Sequence, residues 1–405
     1  MLMQHLNRQL HEADAAALRR RRRTVLSPCG PVQQLEGRET PLLTFCSNDY
    51  LGLAQHPALV EAVAEGARRW GVGSGASHLV SGHSQAHAAV EERAARWQEA
   101  HIPEARGLLF CSGFMANMAL MTALGDDQAV ILADKLNHAS LIDGGLLAQA
   151  RMQRYPHGRL DRLEQMLQQS AAPIRLIVTD AVFSMDGDVA DLPALLALAE
   201  RYDAWLVVDD AHGVGVLGAK GHGSLEHAGL RSERLIWMGT LGKAVGVSGA
   251  VVVAHRTLIV GMIQRARPYI YSTAMPPVLA HVLGVSMDLI EGAEGAARRM
   301  HLQHLIAALR EGVGQVVERH AGWSLPASCT AIQPLIVGSN DDALALAGRL
   351  EDQGLWVPAI RPPTVPMGTA RLRMTLSAAH TLDQVQTLTA ALADMDTALQ
   401  EGGPA

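Results

Sequence analysis

The chain has 405 residues, 48% of them hydrophobic and 18% charged, a balance that excludes disorder and leaves ample material for two or three lobes around an α/β core. A net charge of -6 and a pI near 6.3 exclude nucleic acid as the main partner, because no broad positive face is available to neutralise phosphates. No apolar run approaches membrane-spanning length and no secretory signal opens the chain, so a cytoplasmic protein that does not enter a membrane is expected.

Five consecutive arginines stand at 19–23, behind Glu12 and Asp14 and within helix-forming flanks. They read as part of a solvated amphipathic N-terminal helix, with a nucleic-acid arm or a transit peptide as the alternatives; one arginine could also reach a substrate carboxylate. GVGSGAS (71–77) resembles a dinucleotide fingerprint only loosely, since no strand precedes it. His83, His87 and Glu91 recur at i, i+4 and i+8, which reads as a polar helix face, an open zinc site being the alternative. Cys29, Cys46, Cys111 and Cys329 form no CxxC pair, so reduced thiols are expected rather than disulfides or a zinc site.

From about residue 105 short β-favouring runs alternate with helical stretches: GLLFC (107–111), AVILA (129–133), RLIVT (175–179), WLVVD (205–209), RLIWM (234–238) and GAVVV (249–253). Such alternation predicts an α/β fold with a mainly parallel central sheet, whose ligands lie beyond the carboxyl ends of the strands. After Pro276 and Pro277 a long helical pattern begins, and from about 330 IQPLIV, LWVPAI and RLRMTL resume the alternation as a smaller α+β domain. The expected division is 1–45 as an N-terminal segment packing on the small domain, 46–285 as the large domain and 286–405 as the small C-terminal domain.

Polar residues with chemical potential cluster where the strands of the large domain end. The helix start at Gly113 and Phe114 offers free N–H groups to a phosphate, although an ordinary strand-to-helix turn has the same letters. His138 follows the AVILA strand as a ligand, a base or a flat stacking ring. Ser184, after RLIVT, is read as a hydrogen-bond donor, because TDAVFSMDGDVADL lacks a calcium-loop register. WLVVDDAHGVG drives Asp209, Asp210 and His212 to a strand end, where carboxylates need a cationic partner, a metal or a structural salt bridge. GTLGK places Thr240 and Lys243 after RLIWM; Trp237 and Ala244 stand where an ATP-binding loop needs glycine and a hydroxyl.

Lys243 is one of only three lysines, with Lys135 and Lys220. Unlike arginine, a desolvated lysine can lose its proton and act as a nucleophile, and the bland alternative is a surface lysine beside a turn. A phosphate pocket, a buried acid for a ring nitrogen, a flat histidine, hydroxyl donors and one reactive lysine together suit pyridoxal 5'-phosphate (PLP) and no metal.

SNDYLGL, GSGASHLVSGHS, LNHASLIDG, VFSMDGD, VDDAHGVG, GTLGKAVG, YIYSTAMPP and AIRPPTVPMGTARLRMTLSAAH extend this reading across residues 17–395. Over that span the chain resembles the α-oxoamine synthases, fold-type I PLP-dependent transferases. The resemblance implies that Lys243 bonds to the cofactor's aldehyde, Asp209 partners the pyridine nitrogen and His138 stacks on the ring. His212 and Ser184 would serve the phenolic oxygen, and Gly113, Phe114 and Thr240 the phosphate. Ser272 and Thr273 resemble residues that reach the neighbouring subunit's phosphate, which implies a homodimer. Arg20, Asn48, Ser77, Arg361 and Thr364 fall at substrate positions, Arg361 suited to a carboxylate. The implied reaction is decarboxylative condensation of an amino acid with an acyl thioester. The last motif resembles members that use L-alanine and a pimeloyl thioester, carried on coenzyme A or acyl carrier protein, with a glycine-using member or a non-catalytic subunit of the same fold as rivals.

Overall fold

The computed structural model describes residues 1–401, with side chains through Met395. The chain divides into two units. One comprises Leu51–Ser184 and Asp188–Met300; the other comprises Met1–Tyr50, Met185–Gly187 and His301–Ala405.

The Leu51–Met300 unit is built on a seven-stranded sheet. Its order is Ala105–Phe110, Ala250–His255, Leu235–Thr240, Trp205–Asp209, Ile174–Asp180, Ala129–Asp134 and Arg151–Tyr155. Ala250–His255 runs antiparallel to both neighbours and every other pairing is parallel. Val207, Val208, Ile177 and Val178 are fully buried, as the unbroken apolar runs of a sheet covered on both faces require. All six expected strands are present. The seventh, Arg151–Tyr155, sits at the edge and buries only Tyr155; RMQRY has neither an apolar run nor a clean alternation by which to be found.

Helix Gly113–Leu124 buries Ala116, Ala119, Leu120, Met121 and Ala123, and Ser112 Oγ caps it by accepting from the Met115 N–H at 3.2 Å. It packs on helix Ala139–Leu147, where Gly144 permits the approach: a Cβ there would lie 2.9 Å from Met121 Cβ. This close contact packs the two helices side by side, and the starts of both face the site.

The helical pattern after Pro276 resolves into Pro277–Glu291 and Ala293–Val317, separated at Gly292. Helix Gln85–Gln98 corrects the polar face expected at His83, His87 and Glu91. His83 precedes the helix, and His87 is fully buried, with Nε2 donating to the Met275 carbonyl at 2.8 Å. Glu91 Oε1 accepts from the Leu109 N–H, and burial pushes its carboxyl up to about 7. Among the described residues no group of three or more His, Cys, Asp or Glu could hold a metal ion.

In the other unit, Ile332–Gly338, Ala370–Thr375 and Ala359–Ile360 form an antiparallel sheet. LWVPAI is not one strand: Leu355–Trp356 pairs in parallel with Leu42–Thr44, and Ala359–Ile360 joins the other sheet. Pro358 between them cannot donate to a ladder, which favours the break. The N-terminal helix is Leu2–Ala15 and stops before the arginines. Ala17 at φ 53, with Leu18 N–H to Ala13 O and Ala17 N–H to Asp14 O, closes it in a Schellman turn. Beyond it Arg19 pairs with Asp14, and Arg23 pairs with Glu351 at 2.6 Å while lying over Trp356. No described helix is long and apolar enough to cross a membrane.

Candidate active site

Four adjacent parallel strands each deliver one polar side chain three or four residues past their ends: His138 after Asp134, Ser184 after Asp180, His212 after Asp209 and Lys243 after Thr240. These four line a cavity of about 140 Å³ together with Gly113, Phe114, Asn117, Asp180, Asp209 and Thr240. A parallel sheet puts all its carboxyl ends on one side, so residues scattered over 130 positions converge there.

Asp209 is buried at its strand end. Asn117 Nδ2 donates to its Oδ2 at 2.6 Å, and the Ala211 N–H donates to its Oδ1 at 3.0 Å. Asn117 also donates to Ser140 Oγ at 2.9 Å, while its own Oδ1 is buried without a hydrogen-bond partner. Asp180 lies beside Asp209 in register on the next strand, and its Oδ2 accepts the His138 N–H at 2.8 Å. Burial, reinforced by the neighbouring Asp209 charge, holds the Asp180 carboxyl well above the usual carboxylate range.

His138 caps helix Ala139–Leu147, with Nδ1 2.7 Å from Ser140 Oγ. Burial lowers its basicity, favouring the neutral ring. Lys243 Nζ lies 2.9 Å from His212 Nε2. Across the cavity, the first turn of helix Gly113–Leu124 faces the Thr240 hydroxyl. A Cβ on Gly113 would come within 2.6 Å of Thr240 Oγ1, so glycine keeps this cradle open.

Asn117, Ser140 and Asp180 were not singled out by sequence reasoning. Asp180 carries the same signal that marked Asp209, a carboxylate at the end of an apolar strand. Asn117 and Ser140 carry no such signal, because each matters only through a neighbour distant in sequence.

Ser77 and Thr273 pair through an antiparallel bridge in this unit, with Ser272 adjacent, and none of the three lines the cavity. The remaining candidates belong to the other unit. Asn48 Oδ1 accepts from Arg373 Nη2 at 3.2 Å and from the Tyr50 hydroxyl at 3.1 Å. The Thr364 N–H donates to the Arg361 carbonyl, and Arg361 Nε is buried without a hydrogen-bond partner. Arg20 is exposed in the run after the first helix.

The cavity fits PLP on its own chemistry. It offers a buried carboxylate for a protonated ring nitrogen, an amine for an aldehyde, helix N–H groups and a hydroxyl for a dianion, and an unsatisfied acceptor on Asn117.

Residues 40–392 match the family model for aminotransferase class I and II. The 8-amino-7-oxononanoate synthase of Leptothrix cholodnii is 63% identical over 403 residues, covering 97% of this chain and 98% of that protein. A solved structure of SPT with PLP superposes with a TM-score of 0.89 at 26% identity, covering 98% of both chains. The 8-amino-7-oxononanoate synthase of Francisella tularensis gives 0.75 at 29% identity, over 89% of this chain and 99% of that one. The chain belongs to the class I and II aminotransferase family, as a PLP-dependent acyltransferase of the 8-amino-7-oxononanoate synthase branch.

Proposed function

We propose that the chain joins L-alanine to the acyl carbon of a pimeloyl thioester, releasing CO2 and the thiol carrier and leaving an amino ketone. The carrying observation is the convergence of Lys243, His212 and Asp209 on one cavity at the carboxyl end of the sheet.

When bound, PLP supplies an electron-withdrawing ring that accommodates the electron pair left at the amino acid's α-carbon. Asp209, held by Asn117 and the Ala211 N–H, would keep a proton on the ring nitrogen. His138 would lie flat against the ring, its orientation set by Ser140. The N–H groups at Gly113 and Phe114 and the Thr240 hydroxyl would hold the phosphate. Ser184 and His212 would bind the phenolic oxygen. Lys243 would anchor the cofactor between turnovers and take the α-proton onto Nζ during them, with His212 Nε2 beside it to steady the amine.

Arg361, with its buried unpartnered Nε, would pair with the substrate carboxylate, while Thr364, Asn48, Ser77 and an arginine of the 19–23 run, Arg20 in this assignment, would contact substrate. Ser272 and Thr273 would reach the phosphate of a second copy, so the working form would be a homodimer in the cytoplasm. The basic run at 19–23 would suit an acidic acyl carrier protein as well as coenzyme A.

Incubating the purified enzyme with alanine and pimeloyl groups on each carrier, with mass analysis of the product, tests the reading. The expected product is the nine-carbon amino ketone with release of CO2. A product formed from glycine but not from alanine would overturn the substrate assignment.

A further inference from the structure

His157 lies just past the edge strand Arg151–Tyr155 and does not line the cavity. Its Nδ1 is 3.1 Å from both carboxylate oxygens of Asp134, and its Nε2 is 2.9 Å from Asp188 Oδ2. A ring bonded to carboxylates through both nitrogens must carry a proton on each. The two carboxylate hydrogen bonds raise its pKa to about 10 despite partial burial.

Each aspartate is built into a turn that leads to the cavity, Asp134 through its carboxylate and Asp188 through its backbone carbonyl. Asp134 accepts the N–H groups of Leu136 and Gly158, and its carbonyl accepts that of Asn137, which shapes the approach to His138. The Asp188 carbonyl accepts the Phe183 N–H, and Val182 pairs with Val189, so Asp188 braces the residue before Ser184. The Phe183 ring stands edge-on to His157 at 4.4 Å.

We propose that His157 is a positioning residue, a cationic clasp that ties the turn carrying His138 to the turn carrying Ser184 and so holds both in register across the cavity. The proposal rests on the functional reading above for what those two side chains do. The clasp itself can be measured without any substrate.

The test is hydrogen exchange on wild type, His157→Gln and Asp188→Ala, together with steady-state kinetics and visible circular dichroism of bound PLP. In His157→Gln, amides at 134–138 and between Val182 and Val189 should exchange about tenfold faster while the central strands keep their protection. On the reading above, kcat should fall about tenfold with the KM for alanine within about twofold, and the visible band should change in intensity. Asp188→Ala cuts one arm only and should loosen the Val182–Val189 turn alone, which keeps the proposal testable if His157→Gln fails to fold. Unchanged exchange in both turns would overturn the clasp. So would faster exchange with wild-type kcat and an unchanged visible band. Should wild type make no amino ketone from alanine, the functional reading falls, and exchange still decides whether the two turns are tied.

Discussion

Lys243 can be understood from its immediate neighbours. Its Nζ is 2.9 Å from His212 Nε2 and opens on a cavity that also holds Asp209. Lys243→Ala should abolish the visible absorption of the purified protein and reduce turnover by about a thousandfold or more, and Lys243→Arg should not rescue it, because a guanidinium stays protonated. A yellow Lys243→Ala protein whose cofactor is still fixed by borohydride would contradict this. Asn117→Ala removes the 2.6 Å donor to Asp209; it should slow α-proton exchange about tenfold with little change in the amount of bound cofactor. Exchange at the wild-type rate would remove Asn117 from the site. Lys243 was readable in the sequence because so few lysines compete with it. Asn117 was not, since only the packing of its helix brings it to Asp209.

At the level of elements, the turn from strand to helix sets both the cradle and the acid pair. Gly113→Ala places a methyl 2.6 Å from Thr240 Oγ1, so PLP should bind about tenfold more weakly, with thermal stability changing much less. Titrating the apoprotein with PLP would show it, and wild-type affinity would argue against a phosphate there. Asp210, one residue beyond strand Trp205–Asp209, is fully buried, its Oδ2 accepting from the Ser224 N–H and Trp237 Nε1. Burial pushes its carboxyl from an ordinary 3.8 up to about 7. Between those values the folded chain holds a proton that the unfolded chain releases, so stability from this group is full in acid and is lost as pH rises through 7. Asp210→Asn should bring the urea midpoints at pH 5 and pH 8 closer together, and an unchanged gap would refute the assignment. The six apolar strands were legible as runs of Val, Ile and Leu. Arg151–Tyr155 was not, because an edge strand with one buried side chain has no need of an apolar pattern.

For the molecule as a whole, the homodimer proposed above, with Ser272 and Thr273 reaching the other copy's site, predicts complementation. Lys243→Ala and the double variant Ser272→Ala, Thr273→Ala should each be inactive alone. Refolded together at equal amounts they should recover about a quarter of wild-type turnover, since half of the dimers are mixed and each mixed dimer holds one intact site. No recovery, in material shown by sedimentation to be mixed dimers, would place Ser272 and Thr273 in their own subunit's chemistry.

The sequence by itself determined the alternation that builds a parallel sheet and the polar residues stationed just past its strands, because backbone periodicity and strand-end chemistry are local properties of the chain. Only the tertiary structure decided which of those residues meet. The Lys243–His212 pair, the Asn117 brace on Asp209, the Asp180–Asp209 register and the His157 clasp all depend on which strands lie side by side and how far each helix start is pushed. Those distances are set by core packing spread over the whole unit, and no short stretch of sequence encodes them.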